Sequence, residues 1–551
     1  MSFYERHRER LAAADAACRA RTAYTPFIES PSGRLHPEGA KAKGLAWFEV
    51  VRGSRLEDTG PGGAFEVADE VSPFDGEPIG VAYAFPSVSS IFAAVEAAWP
   101  AWRAASAEDR LGVCLESLDR LAAAIFENTF ATMHTTGQAF MMAFAGSGAN
   151  SLDRGLEAIV YARRAMADVV SEARFERRFG PHEVRLDKRY RLVPRGVAVV
   201  ITCGSYPAWN AYPAIFANLA TGNPVVVKPH PATVLPVARA VQIIRGVLRD
   251  AGFDPNLVVL APDHASAPIT DALVDHEACV IVDFTGSPTY GAKLESRADR
   301  LVFTETAGCN GVVFDSVRDL DATLDALARS LCLFSGQMCT TPQNVFVPRT
   351  VQSADGPVVY EDVRARLVAA IDRVVADPRV AAGVCGALHS PVTATRVDAL
   401  AESSQVLRRP ASYAHPEHPQ ARTRTPLLIE DAVDSPLHRE EHFGPIAFLI
   451  PVEDREAALA AATSEAKRFG AIASYAYSTD AAFAERIEDA FFAAGASVGI
   501  NLLHHAPLNY TAAYSDYHVT GLNPAGNACL TDLAFVAQRF RIVQSKTELH
   551  E

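Results

Sequence analysis

A cysteine follows a glycine turn in "LCLFSGQMCTTPQN", residues 331–344. Leu331 to Phe334 reads as the end of an apolar helix and Ser335-Gly336-Gln337 as a break, with Cys339 just beyond it. A core cysteine needs no such setting. A nucleophile does, because its thiolate must reach a pocket from a loop. A carboxylate of complementary chemistry lies upstream, where "LVFTETAG" ends an apolar strand at Glu305. Burial there raises a carboxyl pKa and suits it to general-base work near neutral pH.

Three further stretches carry binding chemistry. "VVVKPHPAT" puts Lys228 at the carboxyl end of a buried strand, where a cation must reach water or meet a partner. A nucleotide ribose or phosphate is one such partner. "FTGSPTYGAK" runs from strand through a tight turn into a helix, so Gly286 and Ser287 present backbone N–H groups where phosphate is favoured. Ala292 stands where a P-loop would need its lysine. "HREEHFGP" matches H-x-x-E-H in form, but Pro436 and Phe443-Gly444-Pro445 deny it the helical turn that zinc ligands share, so no metal site is predicted. Each stretch also has a plainer reading, as a buried thiol, a strand-end lysine or a capped turn.

These residues must be positioned by a large fold. The chain has 551 residues, 49% hydrophobic and 21% charged, with a net charge of −14 and no basic cluster. A nucleic-acid partner is not expected. The charged start lacks a signal-peptide core and no long apolar run is present, which predicts a soluble cytoplasmic protein. The nine cysteines are scattered without CxxC pairs and read as free thiols.

From about residue 195, short apolar runs alternate with helical patterns. "RGVAVVITC", "PVVVKP", "NLVVLAP", "ACVIVDFTG" and "LVFTETAG" read as strands, and "PAWNAYPAIFANLATG" and "VLPVARAVQIIRGVLRDAG" as helices between them. That is a parallel sheet with ligands at its carboxyl edge. A second series follows Cys339, from "NVFVP" to "SVGIN". "RFERRFGPHEVRLDKRYRLVPRG" reads as an exposed two-stranded arm and "CLTDLAFVAQRFRIVQSKT" as a strand-like tail, both suited to oligomer contacts.

In order along the chain, Lys228-Pro229, "FTGS", "ETAG", "GQMC" and "EEHFGP" resemble the motifs of the aldehyde dehydrogenase superfamily, with Glu305 and Cys339 at the family spacing of 34 positions. The closest similarity is to the PaaN branch of phenylacetate degradation, carried by "GSYPAWNAYPAIF", "GQMCTTPQN" and "SDYHVTGLNPAGNACLTDLAF". The resemblance implies an α/β fold with a Rossmann-type cofactor domain, a second α/β catalytic domain and a small β oligomerisation arm. The implied boundaries are an N-terminal extension over 1–44, a cofactor domain over 45–172 and 193–304, arm and tail over 173–192 and 506–551, and a catalytic domain over 305–505.

In that resemblance Cys339 attacks an aldehyde, Glu305 activates water, and Lys228, His230, Gly286, Ser287, Glu441 and Phe443 contact the cofactor. The implied substrate is a CoA-linked semialdehyde left after oxepin ring opening, oxidised without ring hydrolysis by a homodimer or dimer of dimers. Two positions depart from the family. Its oxyanion asparagine falls on Ser205 when counted back from Lys228 without a gap, and Asn210 follows five positions on. The glutamate that grips the 2′-hydroxyl in NAD-preferring members falls on Pro231, so NADP is expected as preferred, with NAD possible. The rival readings are a CoA-acylating aldehyde dehydrogenase, a zinc peptidase and a non-catalytic scaffold of the same fold.

Overall fold

The structure, a computed structural model of the chain, describes residues 1–297, 299–306, 308–503, 508–518, 530 and 532–549. Its first sheet has five parallel strands in the spatial order Val258–Leu260, Val225–Lys228, Val197–Ile201, Cys279–Gly286, Leu301–Thr306. Val197–Ile201 and Val225–Lys228 are buried along their whole length, as continuous apolar runs must be when helices cover both faces. The order reverses beside Val197–Ile201, and that reversal opens a crevice at the carboxyl ends.

The helix expected from Pro207 to Gly222 starts later, at Ala211, and ends at Ala220. Pro213 explains this, since proline fits only the first turn of a helix and clashes with a preceding turn. Residues 206–210 therefore form a turn at the sheet edge, and Trp209 and Asn210 sit at its end.

The second sheet has seven strands in the order Val406–Arg408, Leu427–Glu430, Ile446–Val452, Asn344–Pro348, Gly311–Phe314, Ser474–Tyr477, Val498–Ile500, all parallel except the first. The arm is three-stranded rather than two-stranded, because Phe540–Glu548 pairs antiparallel with His182–Pro194, which pairs with Glu172–Phe179. The tail is also not strand throughout. Asp532 caps a short helix, Leu533–Ala537, by accepting from Phe535 N at 2.8 Å. Between helix and strand the fully buried Arg539 grips Asp283 of the first sheet through both nitrogens, at 2.8 and 2.6 Å. A planar fork on a carboxylate tolerates little displacement, so the tail is locked to the cofactor sheet.

Residues 1–44 are not a loose extension. Helix Phe3–Ala20 buries Leu11, Ala14, Ala17 and Cys18 in the core cluster that also holds Val225 and Val227. The expected boundaries at 44/45 and 304/305 fall within helix Ala40–Val51 and strand Leu301–Thr306. No helix among the described residues is long and apolar enough to cross a membrane.

Candidate active site

Helix Leu320–Cys332 ends just before the cysteine loop, and three successive residues then take left-handed backbone angles: Phe334 and Ser335 at φ 49° and Gly336 at φ 65°. Left-handed non-glycine residues persist only where their surroundings hold them. Ser335 Oγ donates to Cys385 O at 3.1 Å, and Phe334 is fully buried. Gly336 has a second reason to be glycine, since a Cβ there would stand 2.2 Å from Gly444 O. The loop is fastened on its far side by Asn310, whose Nδ2 donates to Cys339 O at 2.8 Å and Thr341 O at 2.9 Å. Tyr475 Oη donates to Thr340 O at 2.8 Å. Cys339 is thus presented from a rigid break between the two sheets.

Two cavities meet at this cysteine. One, of about 660 Å³, holds Glu305, Ser205, His230, Gly286, Ser287, Glu441 and Phe443 on its walls with Cys339. The other, of about 290 Å³, runs from Cys339 past Met142, Trp209, Asn210, Met338 and Tyr510. Glu305 is 2% exposed, and neither of its carboxylate oxygens has a hydrogen-bond partner among the described residues. Burial, and then the charges of Glu305, Cys203 and Glu441, hold the Cys339 thiol well above the usual thiol range. A thiol so placed needs a base to become a nucleophile, and Glu305 lies beside it, with a carboxylate oxygen within 4.8 Å of the sulfur.

The two oxyanion candidates differ in their surroundings. The Ser205 side chain bonds to the Cys203 thiol, and its backbone carbonyl accepts from Gln138. Asn210 is buried, lines both cavities, and leaves its Oδ1 without a partner among the described residues. The amide faces the space shared with Cys339, whereas the hydroxyl is engaged elsewhere.

A third space, of about 540 Å³, lies along the carboxyl ends of the first sheet and is lined by Lys228, His230, Gly286 and Ser287. Ser287 caps helix Pro288–Glu295, leaving its N-terminus open to an anion. A Cβ on Gly286 would come within 2.6 Å of the Phe284 ring, so only glycine keeps this turn. Lys228 is 3% exposed and finds its partner in Asp263, at 2.7 Å. A carboxylate therefore stands beside the lysine although Pro231 holds the position three residues on, delivered by a different part of the chain. Burial, aided by the Lys228 charge, lowers the His230 pKa to about 4, so its ring is neutral. At the opposite wall, burial pushes the Glu441 carboxyl up to about 8 against the pull of Arg396, which also donates to Phe443 O. A dinucleotide fits this set of a paired cation, a glycine turn at a helix start, and a half-buried carboxyl.

The H-x-x-E-H residues are dispersed. His438 stands on a single 3-10 turn with its nitrogens on Asp431 and Glu465, at 2.8 and 2.9 Å, and His442 bonds Leu437 O. Reading motifs also missed Asn310, Asp263, Trp209 and His518. Residues 519–529 and 531 of the tail motif, and Ala307 of "ETAG", lie outside the described residues.

A sequence model of the aldehyde dehydrogenase family matches residues 62–510. The chain belongs to the aldehyde dehydrogenase family. The fold is that of an aldehyde dehydrogenase at its full length as well. It superposes at a TM-score of 0.97, with 39% identity and 100% of both chains covered, on the crystal structure of an NAD-dependent aldehyde dehydrogenase from Burkholderia multivorans. An NADP-dependent glyceraldehyde-3-phosphate dehydrogenase from Bacillus halodurans C-125, complexed with NADP, shares the fold at a TM-score of 0.69 and 20% identity, over 87% of this chain and 95% of its own. A 1-pyrroline-5-carboxylate dehydrogenase from Bacillus cereus (strain B4264) is 28% identical over 287 residues, which are 50% of this chain and 53% of that protein. The chain thus spans about half the length of the curated relatives it matches.

Proposed function

We propose that the protein oxidises an aldehyde to a carboxylic acid through a thioester on Cys339. The observation that carries this reading is one cysteine on the wall of both cavities with a buried carboxylate beside it. Glu305 takes the thiol proton, and the thiolate adds to the aldehyde carbon. Asn210 and the Cys339 backbone N–H are the donors we assign to the resulting oxyanion. A nicotinamide cofactor, when bound, accepts the hydride. Lys228, Gly286, Ser287, Glu441 and Phe443 would hold it, with Lys228 and Glu441 on ribose hydroxyls. Glu305 releases the thiol proton to solvent, and then receives a proton from water as the water oxygen attacks the thioester carbon and the C–S bond breaks, returning the Cys339 thiolate.

On the cofactor, either nicotinamide dinucleotide suits the glycine turn. NADP was the expectation from Pro231, but Asp263 neutralises the lysine that a 2′-phosphate would need, and this favours NAD. On the substrate, the smaller cavity is lined among the described residues by Met141, Met142, Trp209, Leu333, Met338 and Tyr510, which supports a semialdehyde whose reactive arm is apolar. A CoA-linked semialdehyde of the PaaN type fits if only its acyl chain enters. The carboxylate of 1-pyrroline-5-carboxylate, named for the Bacillus relatives, would meet no lysine or arginine among the described residues of that lining. Exposed Leu533, Ile542 and Val543 on arm and tail support assembly as a homodimer or dimer of dimers.

The test is reduction of NAD⁺ or NADP⁺ by the full-length protein with three substrates: a CoA-linked semialdehyde, apolar aldehydes and 1-pyrroline-5-carboxylate. Free acid as product, and loss of turnover by at least about 10³-fold in Cys339→Ala, are expected. Acyl-CoA as product would replace hydrolysis by CoA acylation. No reduction with any pair would leave the scaffold reading in its place.

A further inference from the structure

A buried carboxylate stays ionised only at a cost, unless something of opposite polarity faces it. His518 does so for Glu305: its Nε2 lies 3.2 Å from Oε1, with both side chains almost fully buried. The histidine stands on the tunnel side with Trp209, whose ring meets it edge to face at 4.5 Å. Glu305 opens to the cofactor side, and Cys339 lies between, with the donor atoms of all three within 4.8 Å of one another.

The segment that carries His518 is held by design rather than by chance packing. Arg154, on helix Asn150–Ala167, donates to Thr511 O at 3.3 Å and Asp516 O at 3.2 Å, and its guanidinium stacks over Trp209 at 5.3 Å. Tyr514 Oη donates to Asp153 at 3.0 Å, and Leu530 N donates to His518 O at 3.1 Å. One helix therefore fixes both the histidine's backbone and the aromatic ring against its side chain.

We propose that His518 is a positioning residue that, through the 3.2 Å approach of its Nε2 to Oε1, holds the Glu305 carboxylate aimed at Cys339 and at the attacking water. The inference rests on reading Glu305 as the base. The titratable groups that share this space with Glu305 are Cys203, Cys339 and Glu441 on the cavity wall and His518 at 3.2 Å. Arg396, Arg439 and Arg468 line the same cavity. In the hydrolytic half, water's proton passes to Glu305, its oxygen bonds to the thioester carbon, and the Cys339 thiolate leaves. His518 bonds to no substrate atom in this scheme.

The test combines pre-steady-state and pH measurements on the full-length protein. In His518→Ala, the first-turnover burst of nicotinamide reduction is expected to remain. The steady-state rate at neutral pH should fall about 10- to 100-fold, with its acid limb displaced upward by about one to two pH units. His518→Gln, which keeps a donor at similar reach, should recover most of the rate and return the limb. A folded His518→Ala, binding cofactor normally, with the limb and the burst-to-steady-state ratio unmoved would overturn the proposal. If the alanine variant does not fold, an acid limb in His518→Gln displaced as far as one to two units would equally overturn it, because a retained donor should hold it. Glu305→Gln separates the two readings. Undiminished steady-state turnover there removes Glu305 as the base, whereas a blocked deacylation with a silent His518 removes this inference alone.

Discussion

The two sides of Cys339 are built in different ways. The cofactor side uses consecutive residues: Lys228 ends a strand, Gly286 and Ser287 form one turn, and Glu441 and Phe443 share one loop. The aldehyde side is assembled from Met142 on a π-helical turn, Trp209 and Asn210 before a helix, Met338 beside the cysteine, and Tyr510 and His518 near the tail. A dinucleotide is a constant ligand, and a short motif on a sheet edge suffices to hold it. An aldehyde's variable arm is recognised by side chains that meet only after folding, so this half can diverge without disturbing the other.

The comparison breaks most sharply at the oxyanion. If the aldehyde side supplies its own donor, Asn210→Ala should reduce kcat by about 10²–10³-fold while cofactor affinity stays within about twofold. Ser205→Ala, with its hydroxyl on Cys203, should cost far less. Steady-state kinetics beside calorimetric cofactor titration reads both. A larger loss in Ser205→Ala would return the donor role to the position reached by counting back from Lys228.

A smaller effect tests the cofactor side. In Asp263→Ser, Lys228 loses its 2.7 Å partner and gains a free charge. NADP⁺ affinity should rise about tenfold and NAD⁺ affinity should not, read as binding constants without turnover. His264, a further basic side chain of this cleft, is occupied by Glu66 and Asp69, at 3.1 and 2.9 Å. Wild-type protein that already binds NADP⁺ more tightly, with the ratio unmoved in the variant, would restore the argument from Pro231.

What could be read from the sequence follows the same division. The strand runs around Val199 and Val226, the turn at Gly286 and the cysteine loop announce themselves because local chemistry dictates them. Asp263 could not be found this way. Its meaning depends on sheet order, which sets Val258–Leu260 beside Val225–Lys228 and so brings its loop to the lysine. His518 is hidden for a stronger reason, since it reaches Glu305 from more than 200 positions away through contacts of Arg154 and Tyr514 that no spacing encodes. The N-terminal helix was unreadable too. Its alanine-rich face gives a weak apolar stripe, although Leu11 and Ala14 are fully buried. The late start of the helix at Ala211 was legible in principle, through Pro213.

The smallest effect concerns the carboxyl shared between the cofactor side and the second sheet. Burial places the Glu441 pKa at about 8 in the free protein, so near neutral pH the group is mostly protonated. Ribose hydroxyls donate to a carboxylate more strongly than to its acid, so a bound dinucleotide favours the ionised form and lowers this pKa. Binding then releases a proton, and affinity must increase with pH until about pH 8 is passed. Between pH 6.5 and 8.5 the dissociation constant is expected to fall by about five- to tenfold, and calorimetry in buffers of different ionisation enthalpy should detect the proton release. Glu441→Gln should abolish both the slope and the release while leaving a weaker, pH-independent affinity. A slope that persists in that variant would move the titration to another wall of the cavity, and Glu441 would cease to mark where the cofactor's ribose lies.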